Sequence, residues 1–200
     1  MDNLVFFGHK ISSKGVMPDP EKVAAIQDWP VLRNLHEIRG FLGFDNLYRK
    51  YIPRFAEIAL PLTNLTRTTL PDCGKMNPHA EGFYWAFNTL KQQIASAPVL
   101  GYLHTGIDAE FAVSTDTSGS AISYTLQQDQ GKGMQPVAFE ARSLNRHQQQ
   151  HSIHKKILVV VEVFKKFRPY LEGCKKVTVY TDHKSLTTLM SQKDLAGRKA

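Results

Sequence analysis

Two aspartates in this sequence each follow a run of strand-forming residues, and carboxylates at strand ends can bind metal ions. Asp116 follows residues 111–115, and a Thr-Ser-Gly-Ser turn then leads into a second strand-like run at 121–126, which predicts a hairpin. Asp182 follows the strand-like run 176–181 and precedes a helix-like segment. If the two strands are parallel neighbours joined by a helical crossover, both carboxylates meet at one end of a sheet, where oxygen ligands suit Mg²⁺. A turn-forming role for Asp116, bonded to its own backbone, is the alternative.

The composition predicts a globular protein without membrane spans. Its 200 residues are 42% hydrophobic, which is enough for one large or two small domains. No apolar run reaches membrane-spanning length, and the N-terminus lacks the basic flank and apolar core of a signal peptide. Cys73 and Cys174 stand apart, which argues against a zinc site or a disulfide framework. We therefore expect a soluble intracellular protein, in the cytoplasm or the nucleus.

The formal net charge of +7 favours a polyanionic partner such as nucleic acid. One group of basic residues lies on a predicted helix. A second group lies in residues 48–55, where it alternates with aromatic rings on which bases or sugars can stack. The candidate nucleic-acid-binding residues are Tyr48, Arg49, Lys50, Arg54, Lys165, Lys166 and Arg168. Two other interpretations stay open: Tyr51, Ile52 and Phe55 form a packed core, and the basic helix face is simply solvated.

The region before residue 100 is predicted to be mostly helical. A strand is expected at 4–11, a turn at 13–15, helices at 20–29, 35–43, 56–66 and 83–95, and a linker at 68–78. Gly8 breaks the strand, and Pro61 interrupts the third helix. Asp19 and Asn34 are the predicted N-caps of the first two helices, with Gly43 near the end of the second.

The region after residue 100 is predicted to alternate strands with a helix. The hairpin is followed by a strand at 135–141, a helix at 151–171, a strand at 177–181 and a last segment at 183–200. Pro136 at the start of its strand suggests the edge of the sheet. The apolar side of the long helix is expected to comprise Ile157, Val160, Val161, Phe164, Phe167 and Leu171.

Ten phrases along nearly the whole sequence resemble the Pol polyproteins of Gypsy-type LTR retrotransposons (Metaviridae). They are F-F-G-H-K-I-S-S-K-G, D-P-E-K-V-A-A-I-Q-D-W-P, I-R-G-F-L-G-F, Y-R-K-Y-I-P-R-F, P-L-T-N-L-T-R, S-A-P-V-L, S-T-D-T-S, P-V-A-F-E-A-R-S-L-N, K-K-F-R-P-Y-L and Y-T-D-H-K-S-L. Their common order carries the resemblance. It implies an α/β (α+β) fold: the end of a reverse transcriptase palm with a small helical thumb/connection region (1–70), a linker and connecting helix (71–108), and a truncated ribonuclease H-like mixed sheet with flanking helices (109–200).

The resemblance also implies a ribonuclease H site, in which a D-E-D-D carboxylate set binds two Mg²⁺ (or Mn²⁺) ions and the RNA strand of an RNA–DNA hybrid is hydrolysed. Asp116 matches the first carboxylate and Asp182 the third. Aligned without gaps through K-K-F-R, Lys156 stands at the position of the Glu, and Glu162 lies roughly 240° around the helix from it. The fourth carboxylate is expected beyond residue 200, and the polymerase turn Y-x-D-D is absent from this sequence. Metal binding is therefore expected to be impaired.

Three functional hypotheses follow from the sequence. The first is a Pol fragment with a degenerate nuclease site, whose partners are the RNA–DNA hybrid and the rest of the polyprotein. The second is a non-catalytic module that binds the hybrid through the candidate residues above. The third is a decayed open reading frame without a selected activity. Cleavage of a hybrid, and the dependence of hybrid binding on salt, distinguish them.

Overall fold

Three short strands form an antiparallel sheet: β1 (Leu4–Phe6), β2 (His9–Ser12) and β3 (Gly15–Pro18). They open the computed structural model, which describes residues 4–67, 82–131, 133–150 and 152–181 of the chain. The break predicted at Gly8 within the strand-like run 4–11 is confirmed: Phe7 and Gly8, both with positive φ, make a tight turn between β1 and β2. The turn predicted at 13–15 joins β2 to β3.

Helices form the next part of the chain: α1 (Pro20–Gln27), α2 (Leu35–Tyr48), a 3-10 turn (Arg49–Tyr51), α3 (Phe55–Ile58), α4 (Leu60–Arg67) and α5 (Phe83–Ala95). The predicted N-caps of α1 and α2 are confirmed. The Asp19 side chain accepts a hydrogen bond from the Glu21 amide, and the Asn34 side chain accepts one from the Glu37 amide. Each cap satisfies an N–H group that has no partner within its own helix.

Two helix boundaries differ from the prediction. Helix α2 continues through Gly43 to Tyr48, because a single glycine costs only about 1 kcal/mol in a helix whose other face is packed. Pro61 lies in the first turn of α4, where a missing N–H is tolerated, and the break between α3 and α4 falls at Ala59 instead. The helix predicted at 83–95 coincides with α5, and the predicted linker lies outside the described residues.

These helices bury one hydrophobic core, and we call residues 4–67 and 82–101 the helical module. Its largest fully buried side chains are Tyr48, Tyr51, Phe41, Phe83, Phe87, Ile26, Leu32, Ile38, Ile52 and Leu62. The rings of Phe41 and Phe87 lie 4.9 Å apart and join α2 to α5. Helix α5 therefore belongs to this core, and an isolated backbone bridge between Val16 and Leu100 ties the segment after α5 to β3.

The second half of the described chain is built around a four-stranded mixed sheet. Its elements are β4 (Glu110–Thr117), β5 (Ala121–Asp129), β6 (Met134–Ser143), α6 (Arg146–Gln150), α7 (Ser152–Leu171) and β7 (Lys176–Thr181). The strand order is β6-β5-β4-β7, in which only β4 and β7 are parallel. The predicted hairpin, the parallel crossover and the edge position of the Pro136 strand are confirmed, and so is the predicted fold class. We call residues 102–181 the sheet module.

Helix α7 packs on this sheet with a face that is only partly the predicted one, because Phe167 and Leu171 are buried as predicted whereas other predicted residues are not. Its buried residues are Val159, Val163, Phe167 and Leu171, which meet Phe111, Val113, Ile122, Tyr124 and Leu126 of the sheet. Val161 and Phe164, expected to be buried, are instead 42% and 45% exposed. Residues 159, 163 and 167 recur every four positions, so they form the stripe that faces β4 and β5.

The two modules meet along β6. Phe139 of β6 packs against the core of the helical module, and the amide of Gly101 donates to the carbonyl oxygen of Pro136 at 2.8 Å. Helix α3 and the 3-10 turn also contact β6. This contact brings residues 49–58 beside the sheet, close to the end of β4. The division into 1–70, 71–108 and 109–200 stays a prediction.

Candidate functional site

The parallel pairing of β4 with β7 defines the end of the sheet where the two aspartates were predicted. Thr115 of β4 pairs with Thr181 of β7, and the Thr115 hydroxyl donates to the carbonyl oxygen of Tyr180 at 3.2 Å. Asp116 follows Thr115 directly in the sequence. Asp182 lies outside the described residues, so a site shared by Asp116 and Asp182 stays a prediction.

Asp116 is the penultimate residue of β4, and Ser118, two residues later, forms the turn. The Ser118 hydroxyl oxygen accepts hydrogen bonds from the amides of Ser120 and Ala121, at 3.3 and 3.0 Å. The turn-forming role considered for Asp116 is thus filled by Ser118. The Asp116 side chain is 54% exposed, and its carboxylate faces the guanidinium of Arg54.

Arg54 joins the helical module to this end of the sheet. Its Nε lies 3.5 Å from Oδ2 of Asp116 and donates to Oε2 of Glu57 at 2.9 Å. Arg54 has a left-handed backbone conformation, with φ 57° and ψ 26°, at the start of α3. A cavity of about 200 Å³ lies beside the pair and is lined by Pro53, Arg54, Ser114, Asp116, Ser123 and Glu140, among others. We call this cavity and its lining residues the rim.

Of the predicted nucleic-acid-binding residues, Tyr48 is the one that the structure excludes. It is fully buried, and its hydroxyl donates to the carbonyl oxygen of Gly8 at 3.0 Å. Burial and the nearby negative charge of Asp19 raise the pKa of the Tyr48 hydroxyl. Tyr51 and Ile52 are buried as well, so the core interpretation of this segment holds for them. The aromatic spacing there serves helix packing, and a fully buried ring cannot stack on a base.

The two cations next to Tyr48 are half-buried and engaged in contacts within the protein. Arg49 donates through Nη2 to Oε2 of Glu140 at 3.0 Å and to the carbonyl oxygen of Ala141 at 2.9 Å. Lys50 places Nζ 5.2 Å from the centre of the Tyr51 ring, and burial lowers its pKa. Arg49 therefore joins the modules, whereas a nucleic-acid role for Arg49 and Lys50 stays a prediction.

The basic residues of α7 differ in whether they form ion pairs. Lys166 lies 3.3 Å from Oε1 of Glu140, and Arg168 lies 3.7 Å from Glu172 in the next turn. Lys165 is exposed, with no ion pair to any described residue. Lys156 belongs to α7, but its side chain lies outside the described part of the chain. The α7 cations thus present an exposed charge that phosphates can reach.

Glu140 is a residue that the sequence analysis missed. Its carboxylate accepts Arg49 from the helical module and Lys166 from α7, and its side chain is only 13% exposed. Burial and the charge of Glu140 raise the pKa of the neighbouring Tyr124 hydroxyl to about 12. A lone acidic residue inside an alternating strand was the available signal, because the strand pattern alone predicts an apolar or neutral residue there.

The described residues do not fit a divalent metal site. Among residues 4–67, 82–131, 133–150 and 152–181, no group of three or more His, Cys, Asp or Glu side chains lies close enough to hold an ion. The Asp116 carboxylate faces a guanidinium, which is an unsuitable neighbour for Mg²⁺.

Within the described part of the chain, no helix combines the length and the apolar character needed to cross a lipid bilayer.

Comparison with known sequences finds a family match that includes most of the sheet module. Residues 107–200 match the family described as the RNase H-like domain found in reverse transcriptase. The chain is 32% identical over 196 residues to the retrovirus-related Pol polyprotein from transposon opus of Drosophila melanogaster, which covers 94% of the chain. It is 28% identical over 203 residues to the Pol polyprotein from transposon gypsy of the same fly, which covers 96%. The chain spans only 19% of the length of either relative.

Comparison with solved structures supports the fold of both modules. The foamy viral protease-reverse transcriptase dRH in complex with double-stranded DNA superposes with a TM-score of 0.80, at 21% identity, over 99% of this chain and 34% of that one. The foamy viral protease-reverse transcriptase in complex with an RNA/DNA hybrid gives a TM-score of 0.73, at 20% identity, over 97% of this chain and 26% of that one. The arrangement of both modules therefore has a counterpart in a viral enzyme.

Proposed function

Because residues 107–200 belong to the family of RNase H-like domains found in reverse transcriptases, and the chain is homologous to part of LTR-retrotransposon Pol polyproteins, we propose that it binds the RNA–DNA hybrid on which such a polyprotein acts. The activities of a whole Pol polyprotein, RNA-directed DNA synthesis and hydrolysis of the RNA strand of the hybrid, are part of this proposal. The rest of the polyprotein is the proposed protein partner. In this chain alone, we propose that hydrolysis is lost.

The observation that carries the proposal is the parallel register of β4 and β7. Thr115 pairs with Thr181, and each threonine directly precedes an aspartate in the sequence. This register supports a common location for Asp116 and Asp182, because parallel neighbours leave the sheet at the same end. It is the arrangement that a hybrid-cleaving ancestor would need for its first and third carboxylates.

The loss of hydrolysis rests on Lys156. Two-metal hydrolysis needs ions held near both the attacking and the leaving oxygen, and each Mg²⁺ prefers a near-octahedral shell of oxygen ligands. The sequence resemblance puts Lys156 at the position of the family glutamate, and the proposal is that a ligand is thereby lost and a positive charge gained. Like charges at close range repel strongly near a protein surface. The described part of the rim adds a second cation, Arg54, beside Asp116.

Hybrid binding rests on the cations that remain exposed. Lys165 and Arg168 are three positions apart on α7, so they lie on the same side of the helix, and both are exposed. Arg54 is 52% exposed at the rim. A row of exposed cations binds the phosphate backbone without reading its sequence, and releases counterions as it does so. This chemistry suits a hybrid of any sequence.

Cleavage of a labelled RNA–DNA hybrid in Mg²⁺ and in Mn²⁺ tests the catalytic part of the proposal. The assay compares this chain with a longer chain that continues through the full ribonuclease H length of the relatives, each with and without Lys156→Glu. We expect cleavage only from the longer Lys156→Glu protein. Metal-dependent cleavage by the unmodified 200-residue chain would show that the proposed loss of hydrolysis is wrong.

Hybrid binding is tested separately, by fluorescence anisotropy between 50 and 200 mM salt. If the chain neutralises about three phosphates, its affinity falls roughly 40-fold over this interval. Lys165→Gln should weaken the salt dependence by about one ion, whereas Lys22→Gln, an exposed lysine on α1, should leave it unchanged. An affinity that does not respond to salt contradicts the binding proposal.

A further inference from the structure

We propose that Arg54 is a built-in counter-cation of the rim, which neutralises Asp116 from within the chain and competes with a divalent metal ion for that carboxylate. The inference rests on the proposed function in one respect, the choice of Asp116 as the carboxylate that a metal would bind. Nothing in the sequence resemblance involves Arg54 with Asp116. The pair exists because α3 of the helical module docks beside the end of β4.

The contacts of Arg54 are those of a shared cation. Its guanidinium lies between two carboxylates, at 2.8 Å from Oε2 of Glu57 through Nη2 and at 3.5 Å from Oδ2 of Asp116 through Nε. Glu57 belongs to the helical module and Asp116 to the sheet module. A planar guanidinium has several donors in fixed directions, so it can serve both carboxylates at once. One positive charge thereby replaces part of the charge that a metal ion would supply.

The backbone of Arg54 indicates that this position is held by its surroundings. Among the described residues, only Phe7 and Arg54 have positive φ without being glycine. Such a conformation is unfavourable for a residue with a Cβ atom, and it persists where neighbouring contacts stabilise it. Arg54 directly follows Pro53 and is the N-cap of α3. Both residues line the cavity next to Asp116.

The exposure of the pair indicates competition rather than a permanent block. The side chains of Arg54 and Asp116 are 52% and 54% exposed, and ion pairs this accessible to solvent are weak. A divalent ion can therefore displace the guanidinium when other ligands assist it. While Arg54 stays in place, its positive charge offsets part of the negative charge of Asp116 and repels the incoming cation. The expected effect on metal affinity is a few-fold.

Site-specific Mn²⁺ binding tests this inference without nucleic acid or cleavage. Mn²⁺ alone is titrated into ¹⁵N-labelled protein at low ionic strength, and paramagnetic broadening is followed at the amides of residues 114–117 and 123. The proteins are the unmodified chain, Arg54→Gln, Arg54→Gly and Arg39→Gln, each also in a Lys156→Glu background. Arg54→Gly suits the positive φ and removes the same charge. Arg39→Gln removes that charge from an exposed position on α2.

In at least the Lys156→Glu background, we expect Mn²⁺ to broaden these amide signals at about threefold lower concentration in both Arg54 variants than in the protein with Arg54 intact. Arg39→Gln should behave like the protein with Arg54 intact. Adding Asp116→Asn should abolish the broadening. Equal Mn²⁺ response with and without Arg54 in both backgrounds, or no response at all, overturns the inference. Either result leaves the salt-dependent binding of the hybrid untouched, so a failure here is distinguishable from a failure of the proposed function.

Discussion

Asp45 allows a quantitative test of the helical module, because its carboxyl group is buried without a partner. The residue lies on α2 and is 1% exposed, and neither carboxylate oxygen accepts a hydrogen bond within the described structure. Burial disfavours the charged form and raises the pKa of Asp45 from 3.8 to about 8. At pH 7 the folded protein therefore holds Asp45 as a neutral acid, whereas the unfolded chain ionises it.

The sign and size of the pH effect follow from this difference. Between the unfolded pKa of 3.8 and the folded pKa of about 8, the folded state keeps a proton that the unfolded state releases, so stability falls as the pH rises. Its contribution is complete below the lower value and fully lost above the higher one. Because one pH unit in this interval corresponds to about 1.4 kcal/mol, moving from pH 5 to pH 7 lowers the free energy of unfolding by roughly 3 kcal/mol.

Urea unfolding at pH 5, 6, 7 and 8 measures this effect in the unmodified chain, in Asp45→Asn and in Asp28→Asn, an exposed control at the end of α1. Asp45→Asn has the same shape and no proton to lose, so its stability should lack this fall with pH. His9 changes the stability in the opposite direction: burial lowers its pKa, so its contribution to the free energy of unfolding is lost as the pH falls. This effect is the same in all three proteins and does not affect their comparison. If Asp45→Asn and Asp28→Asn keep the same pH dependence as the unmodified chain, Asp45 is ionised in the folded state and the reasoning fails.

Two further predictions concern contacts that hold the modules in place, and the same unfolding assay at pH 7 measures both. Gly15→Ala builds a Cβ atom onto the carbonyl oxygen of Leu100, at a φ of 132°, and should cost at least about 2 kcal/mol. Gly40→Ala, a helical position with no atom within 4 Å, should stabilise the protein by up to about 1 kcal/mol; equal effects of the two substitutions contradict the steric argument. Arg49→Ala removes the charged hydrogen bonds that join the 3-10 turn to Glu140 and should cost roughly 1.5–3 kcal/mol, and a loss below about 0.5 kcal/mol would show that this contact does not stabilise the junction.

The sequence was sufficient to predict the strands around Asp116 because their rules are local. Alternation, a Thr-Ser-Gly-Ser turn and a long helix before the last strand predict the hairpin and the parallel crossover, and β4, β5 and β7 confirm them. The face of α7 was less predictable. Residues 157–161 are all apolar, so several stripes fit the pattern equally well, and packing on the sheet selects the one through Val159, Val163 and Phe167.

The electrostatics of the rim depend on contacts between residues that are far apart in the sequence, and no local pattern reports them. Arg54 meets Asp116, and Glu140 meets both Arg49 and Lys166, only because the helical module docks against β6 while α7 packs on β4 and β5. Lys156 differs in kind, since the resemblance identifies it by position alone. Under the proposed function, Lys156 and Arg54 are two separate positive charges near Asp116. Because a substitution at Lys156 leaves Arg54 beside Asp116, experiments must vary the two residues independently.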